Sequence, residues 1–116
     1  MSVQGSTVYW ITQGTSTSGY TNGGVFSCAT TGCSSPTTIA GTTPLTQGTC
    51  LFTDATYIHY VADNSFYRCP LTGCSGGPTL TASGNVMAFN GASGCTEDPT
   101  SYYFIESSGA VLRIAK

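Results

Sequence analysis

The chain has 116 residues, enough for the core of one domain and too few for two. Charged residues make up 7% and the net charge is −2, so no basic stripe exists to hold nucleic acid or an anionic membrane surface. Aromatics at 11% argue against disorder, and no apolar run approaches the ~18 residues that cross a bilayer.

Serine and threonine supply roughly 30% of the residues, a neutral hydroxyl-rich composition common outside the cell. The first ten residues carry neither the basic nor the apolar region of a secretory signal. The expected location is nevertheless extracellular or secreted, with the signal absent from these residues, because six cysteines in so short a chain suit an oxidising compartment.

Short strands are expected throughout, and no helix, since apolar residues do not recur at i, i+3, i+4 and i+7 between the glycine and proline breaks. Residues 1–4 read as the end of a first strand, and 8–12 (VYWIT) as the second. The latter matches 58–62 (IHYVA) and 102–106 (YYFIE), placing Trp10, Tyr60 and Phe104 at one position and Ile11, Val61 and Ile105 at the next. Residues 13–24 form a long loop containing Tyr20 and Asn22, an aromatic face beside an amide and hence the candidate ligand-binding pair. The corresponding connections later in the chain are short: a two-residue hairpin at Asp63 and Asn64, and a turn at Ser107, Ser108 and Gly109.

Residues 25–29 lead through Cys28 and Cys33 to a strand at 37–40, entered through Pro36. Residues 66–70 lead in the same way through Cys69 and Cys74 to 79–82, entered through Pro78, as suits an edge strand that need not donate every N–H. Strands at 51–54 and 96–98 end at Asp54 and Asp98, which sit at the same distance before the aligned aromatic as Gln4 does before Trp10. The last strand, 110–115, puts Arg113 in register with Arg68.

A repeat of about 40 to 50 residues with four strands to the unit is the signature of a propeller blade. The expected fold is all-β: a single β-propeller segment over residues 1–116, of about two and a half to three four-stranded blades. Blade 1 covers about 1–41, blade 2 about 48–83 and a partial blade 3 about 85–116. Closed propellers use ~4–8 blades, so completion by self-association is expected, with a homodimer forming one six-bladed ring. Among the faces then left bare in a monomer is one expected to carry Phe104, Ile105 and Leu112.

The pattern legible across the copies is carried by Val8-Tyr9-Trp10, Asp54-Ala55-Thr56, Tyr67-Arg68-Cys69-Pro70, Gly73-Cys74 and Pro78-Thr79. It resembles the cysteine-containing repeats of bacterial secreted β-propellers, which are often six-bladed. The resemblance spans nearly the whole chain and implies the fold rather than an activity, since propellers serve as lectins, scaffolds and enzymes. The chain departs from the pattern in the long loop at 13–24 and in Ile58-His59-Tyr60, which replaces Val-Tyr-Trp.

Cys28 with Cys33 and Cys69 with Cys74 are each C-x4-C, a spacing at which a disulfide closes a turn and holds an outer hairpin. A zinc site built from both pairs is the alternative, but equivalent positions on adjacent blades diverge and do not converge on one tetrahedral ion. Cys50 and Cys95 suit a bridge between blades near their inner strands, or else two buried free thiols. Strict register sets Cys50 against Gly94, a one-residue slip that turns the two cysteine side chains to opposite faces unless a bulge intervenes.

Candidates for chemistry are few. His59, the one histidine, occupies the slot of Tyr9 and Tyr103 and reads as a structural replacement; Asp54 and Asp98 read as turn caps. No nucleophile elbow, phosphate loop or dinucleotide fingerprint occurs. The expectation is a non-catalytic binding or scaffolding module without cofactor or metal, lectin-like, with carbohydrate or protein as ligand. The alternative is a purely structural propeller fragment that rebuilds a ring from copies of itself.

Overall fold

The computed structural model describes every residue except 16, 18–21, 42–49, 63–64, 84–93 and 106–108. Among the described residues there are eleven strands and no α-helix. Strands β1 (Ser2–Gln4), β2 (Thr7–Thr12), β3 (Gly24–Ala29) and β4 (Thr37–Gly41) pair in chain order as sheet 1. Strands β5 (Leu51–Thr53), β6 (Tyr57–Ala62), β7 (Ser65–Pro70) and β8 (Thr79–Ser83) form sheet 2 in the same order. Strands β9 (Cys95–Glu97), β10 (Ser101–Ile105) and β11 (Val111–Ala115) form sheet 3. All pairings are antiparallel, between strands consecutive in the chain.

The register repeats from sheet to sheet. Trp10 lies opposite Phe26, Tyr60 opposite Tyr67, and Phe104 opposite Leu112. Ladder shifts between Val25 and Phe26 and between Phe66 and Tyr67 fall at the same place in sheets 1 and 2. The C-x4-C turns also match: Gly32 and Gly73 donate to the carbonyls of Ala29 and Pro70, each at 2.9 Å. Both hold positive φ, 96° and 111°, a conformation that only glycine enters without strain.

The sheets stack in three layers with sheet 2 in the middle, which is why β6 is buried along nearly its whole length. Successive side chains of a strand point to opposite faces. Leu51, Ile58, Tyr60 and Cys69 therefore face sheet 1 and pack on Tyr9, Val25, Ile39 and Ala40. Phe52, Val61 and Phe66 face sheet 3 and pack on Tyr102 and Phe104. The second joint is aromatic: Phe66 lies 5.2 Å from Tyr102 and 5.0 Å from Phe104, centroid to centroid, and Phe52 5.1 Å from Tyr102. The Cys74 N–H donates to the Ile39 carbonyl at 3.0 Å, and the Ser2 and Thr53 hydroxyls meet at 2.6 Å, tying sheets 1 and 2 at both ends of the joint.

All six cysteines are paired, as Cys28–Cys33, Cys69–Cys74 and Cys50–Cys95. The one-residue slip between Cys50 and Cys95 is no obstacle to their bridge. Val61 donates to the Cys50 carbonyl as Ile105 does to that of Gly94, so Cys50 and Gly94 are equivalent. Cys50 thus lies on the face of sheet 2 that meets sheet 3, whereas Cys95, opposite Phe104, lies on the face of sheet 3 that meets sheet 2. Opposite faces within two stacked sheets are what a bridge between them needs.

One expectation about the ends is corrected. Phe104 and Leu112 face sheet 2 and belong to the core, while Ile105 and Val111, one residue away on each strand, point outward at 45% and 68% exposure. The hairpin expected at Asp63 and Asn64 lies outside the described residues.

Candidate functional site

The acidic turns come first because they bring carboxylates beside a histidine and a tyrosine. Asp54 Oδ1 accepts from the Thr56 and Tyr57 N–H groups at 2.7 Å each, and its Oδ2 lies 2.7 Å from His59 Nε2. Asp98 repeats this: Oδ1 accepts from the Thr100 and Ser101 N–H groups at 2.7 and 2.8 Å, and Oδ2 from the Tyr103 hydroxyl at 2.7 Å. His59 therefore does the work of a tyrosine.

Burial pulls the Asp54 carboxyl upward, but the Thr56 N–H, His59 and the Tyr57 N–H together hold it below its ordinary value. The Tyr103 hydroxyl, then Thr100 and Ser101, hold Asp98 well below the usual carboxylate range. Both acids are thus kept ionised as caps. His59 is buried, tilted over Tyr102 at 5.0 Å and stacked on Phe66 at 5.8 Å, and its Nδ1 has no hydrogen-bond partner among the described residues. The ring is thus wedged between sheets 2 and 3.

The other shifted groups are also packing residues. Burial, with Tyr67 alongside, pushes the Tyr60 hydroxyl above its usual range. Burial, then Asp54 and Glu97, pushes Tyr102 up to about 12. Lys116 pairs with Glu97 at 2.6 Å and sits 4.9 Å above the Tyr102 ring, closing the rim of the second joint. Among the described residues no three His, Cys, Asp or Glu side chains gather as a metal site.

Of the candidate ligand-binding pair, Tyr20 lies outside the described residues. Asn22 is exposed, and its Oδ1 accepts from the Thr15 N–H at 2.8 Å while its Nδ2 lies 3.5 Å from the Thr15 hydroxyl. Its amide thus helps to close the loop on itself.

Among the described residues, exposed apolar side chains gather on the outer faces of the stack. On sheet 3, Tyr103, Ile105 and Val111 with Gly94 and Thr96, and atoms of the inward-facing Cys95 and Phe104 between them, line an open depression of about 200 Å³. Gly94 is packed close beneath it, since a Cβ there would sit 3.2 Å from the Ile105 Cβ. On sheet 1, Val8, Trp10 and Phe26 are only partly covered, Val3 is 56% exposed, and the Trp10 and Phe26 rings stack at 6.0 Å.

These two surfaces correspond, position by position, to the halves of the buried joints. Val8, Trp10 and Phe26 occupy the register positions of Ile58, Tyr60 and Tyr67, and again of Tyr102, Phe104 and Leu112. Tyr103, Ile105 and Val111 occupy those of Tyr9, Ile11 and Val25, and of His59, Val61 and Phe66. The alternation along 102–106 and 8–12 carried this signal, but it becomes readable only once the buried side of a neighbouring sheet is known.

Comparison with known proteins finds no family model that matches the chain, and no curated protein or solved structure that matches it significantly.

Proposed function

We propose that the chain is a non-catalytic scaffolding module, a run of three β-propeller blades whose working surfaces are the two outer faces of the stack. The observation that carries this reading is the correspondence of those faces with the two joints already buried inside the chain. A face with Trp10 and Phe26 at its centre, and another with Ile105 and Val111, are the surfaces that a further sheet of the same kind would cover. The three disulfides fit an extracellular protein, and a secreted scaffold is the setting we infer for it. The resemblance to secreted cysteine-containing propellers points the same way.

The reading is tested with two copies of the sequence joined by a flexible linker of about 15 residues, long enough to span a joint of about 20 Å. If the outer faces meet, Trp10→Asp in both copies places carboxylates in a closed apolar joint and lowers the melting temperature by 10 °C or more, about 2 kcal/mol or more per site. If the faces stay open, the substitution loses only the cross-strand pair with Phe26 and some strand propensity, about 1 kcal/mol per site and a shift of a few degrees, and the scaffold reading is wrong. A glycan array on the same protein tests the loop at 13–24 as a carbohydrate site, and a specific hit abolished by Asn22→Ala would favour a lectin instead.

A further inference from the structure

Resting on the scaffold reading, we infer that the occupant of the outer faces is a second copy of this chain, docked head to tail so that sheet 1 of each protomer covers sheet 3 of the other. Three features of the structure support that choice over an unlike partner.

The first is continuity with an established interface. Within the chain, each joint sets a triplet of aromatic and aliphatic side chains of one sheet against the complementary triplet of the next: Tyr9, Ile11 and Val25 against Ile58, Tyr60 and Tyr67, then His59, Val61 and Phe66 against Tyr102, Phe104 and Leu112. The outer faces offer the two unused triplets, Tyr103, Ile105 and Val111 on one side and Val8, Trp10 and Phe26 on the other. Six side chains of the same chemistry fall at the same six positions, and none is charged.

Shape is the second. The depression over Gly94, between Ile105 and Val111, is where the Trp10 ring of a copy falls if the third joint repeats the first two, as Tyr60 and Phe104 do in theirs.

Area is the third. A sheet face of four strands about 4.8 Å apart and ~17 Å long measures on the order of 300 Å² in projection. Two chains closing on each other cover two such faces of sheet 1 and two of the three-stranded sheet 3, on the order of 1,100 Å² in all, above the roughly 1,000 Å² that a specific interface clears. Two copies of residues 1–116 bring six described sheets, within the ~4–8 that close a ring, whereas three copies bring nine. The two-fold arrangement uses both faces of both protomers and leaves none open.

The inner disulfide supplies a direct test of the register. Gly94 is the equivalent of Cys50, and Met1, opposite Trp10 by extension of the β1–β2 ladder, is the equivalent of Cys95. In a head-to-tail joint the variant carrying Gly94→Cys and Met1→Cys, made with one leader residue ahead of position 1, would form an additional disulfide between protomers. Light scattering of the unaltered 116-residue chain at about 20 μM is expected to give twice its 11.9 kDa mass. The double variant is expected to run as a covalent dimer on a non-reducing gel. Because new cysteines can misfold a disulfide protein, Ile105→Asp provides a second readout; it is expected to weaken association about 100-fold or more while leaving the far-ultraviolet circular dichroism of a β protein.

A stable monomer at 20 μM overturns the inference, and so does a dimer that neither Ile105→Asp nor the cysteine pair affects. A monomer whose linked tandem is still destabilised by Trp10→Asp removes the second copy and keeps the scaffold; a tandem indifferent to Trp10→Asp removes both.

Discussion

Removing the bridge between sheets 2 and 3 should be the most damaging of the three disulfide deletions, and the magnitude follows from loop length. In the chain-entropy argument a cross-link limits the unfolded chain in proportion to the logarithm of the loop that it closes. Cys50 and Cys95 are 45 residues apart, against 5 for Cys28 and Cys33. The same relation then assigns about 4 kcal/mol to the long loop and about 2 kcal/mol to the short one. A domain of this size has about 5–15 kcal/mol in all, so the first loss is a large share. Packing acts in the same direction, because Cys50 is 2% exposed at the aromatic joint, whereas Cys33 is on the surface. Urea unfolding at fixed protein concentration would compare Cys50→Ala with Cys95→Ala against Cys28→Ala with Cys33→Ala. At an m-value of about 1.5 kcal/mol/M, midpoint shifts of about 2.7 M and about 1.3 M are expected. Equal shifts, or a larger one for the short loop, would refute the account of the Cys50–Cys95 bridge as the clamp between sheets.

Phe66, fully buried against Tyr102 and Phe104, should cost about 3–5 kcal/mol as Phe66→Ala, read by the same unfolding curves. Gly32→Ala and Gly73→Ala force φ values of 96° and 111° on a residue with a Cβ, and each should cost about 1–3 kcal/mol although neither Cβ meets an atom closer than 3.5 Å. Asp98 is held below its ordinary 3.8 by Tyr103, Thr100 and Ser101, so the stability it contributes is complete above about pH 4 and is lost as pH falls through the lowered folded-state value. Asp98→Asn should therefore shrink the difference between the urea midpoints at pH 6 and pH 3; an unchanged difference would show that the acid limb belongs to other groups.

Strand positions, their order and the equivalence of Trp10, Tyr60 and Phe104 were legible in the residues, because short antiparallel strands are set by local propensity and by turn chemistry that the chain repeats. Capping of backbone N–H groups by Asp54 and Asp98 and the placing of His59 in a tyrosine slot were legible for the same reason, because they are local; that His59 and Tyr103 bond the second oxygen of each cap was seen only in the structure. Which face of each strand is buried was not. Residues 58–62 are apolar or aromatic on both sides, since sheet 2 is covered on both sides, and alternation carries no polar face by which to orient it. Hence Phe104 was expected at an open surface and proved to be core, while Val111 and Tyr103 went unremarked as surface. The Cys50–Cys95 bridge was likewise decided by stacking, because a one-residue offset that separates two side chains within a single sheet brings them together when the sheets lie face to face.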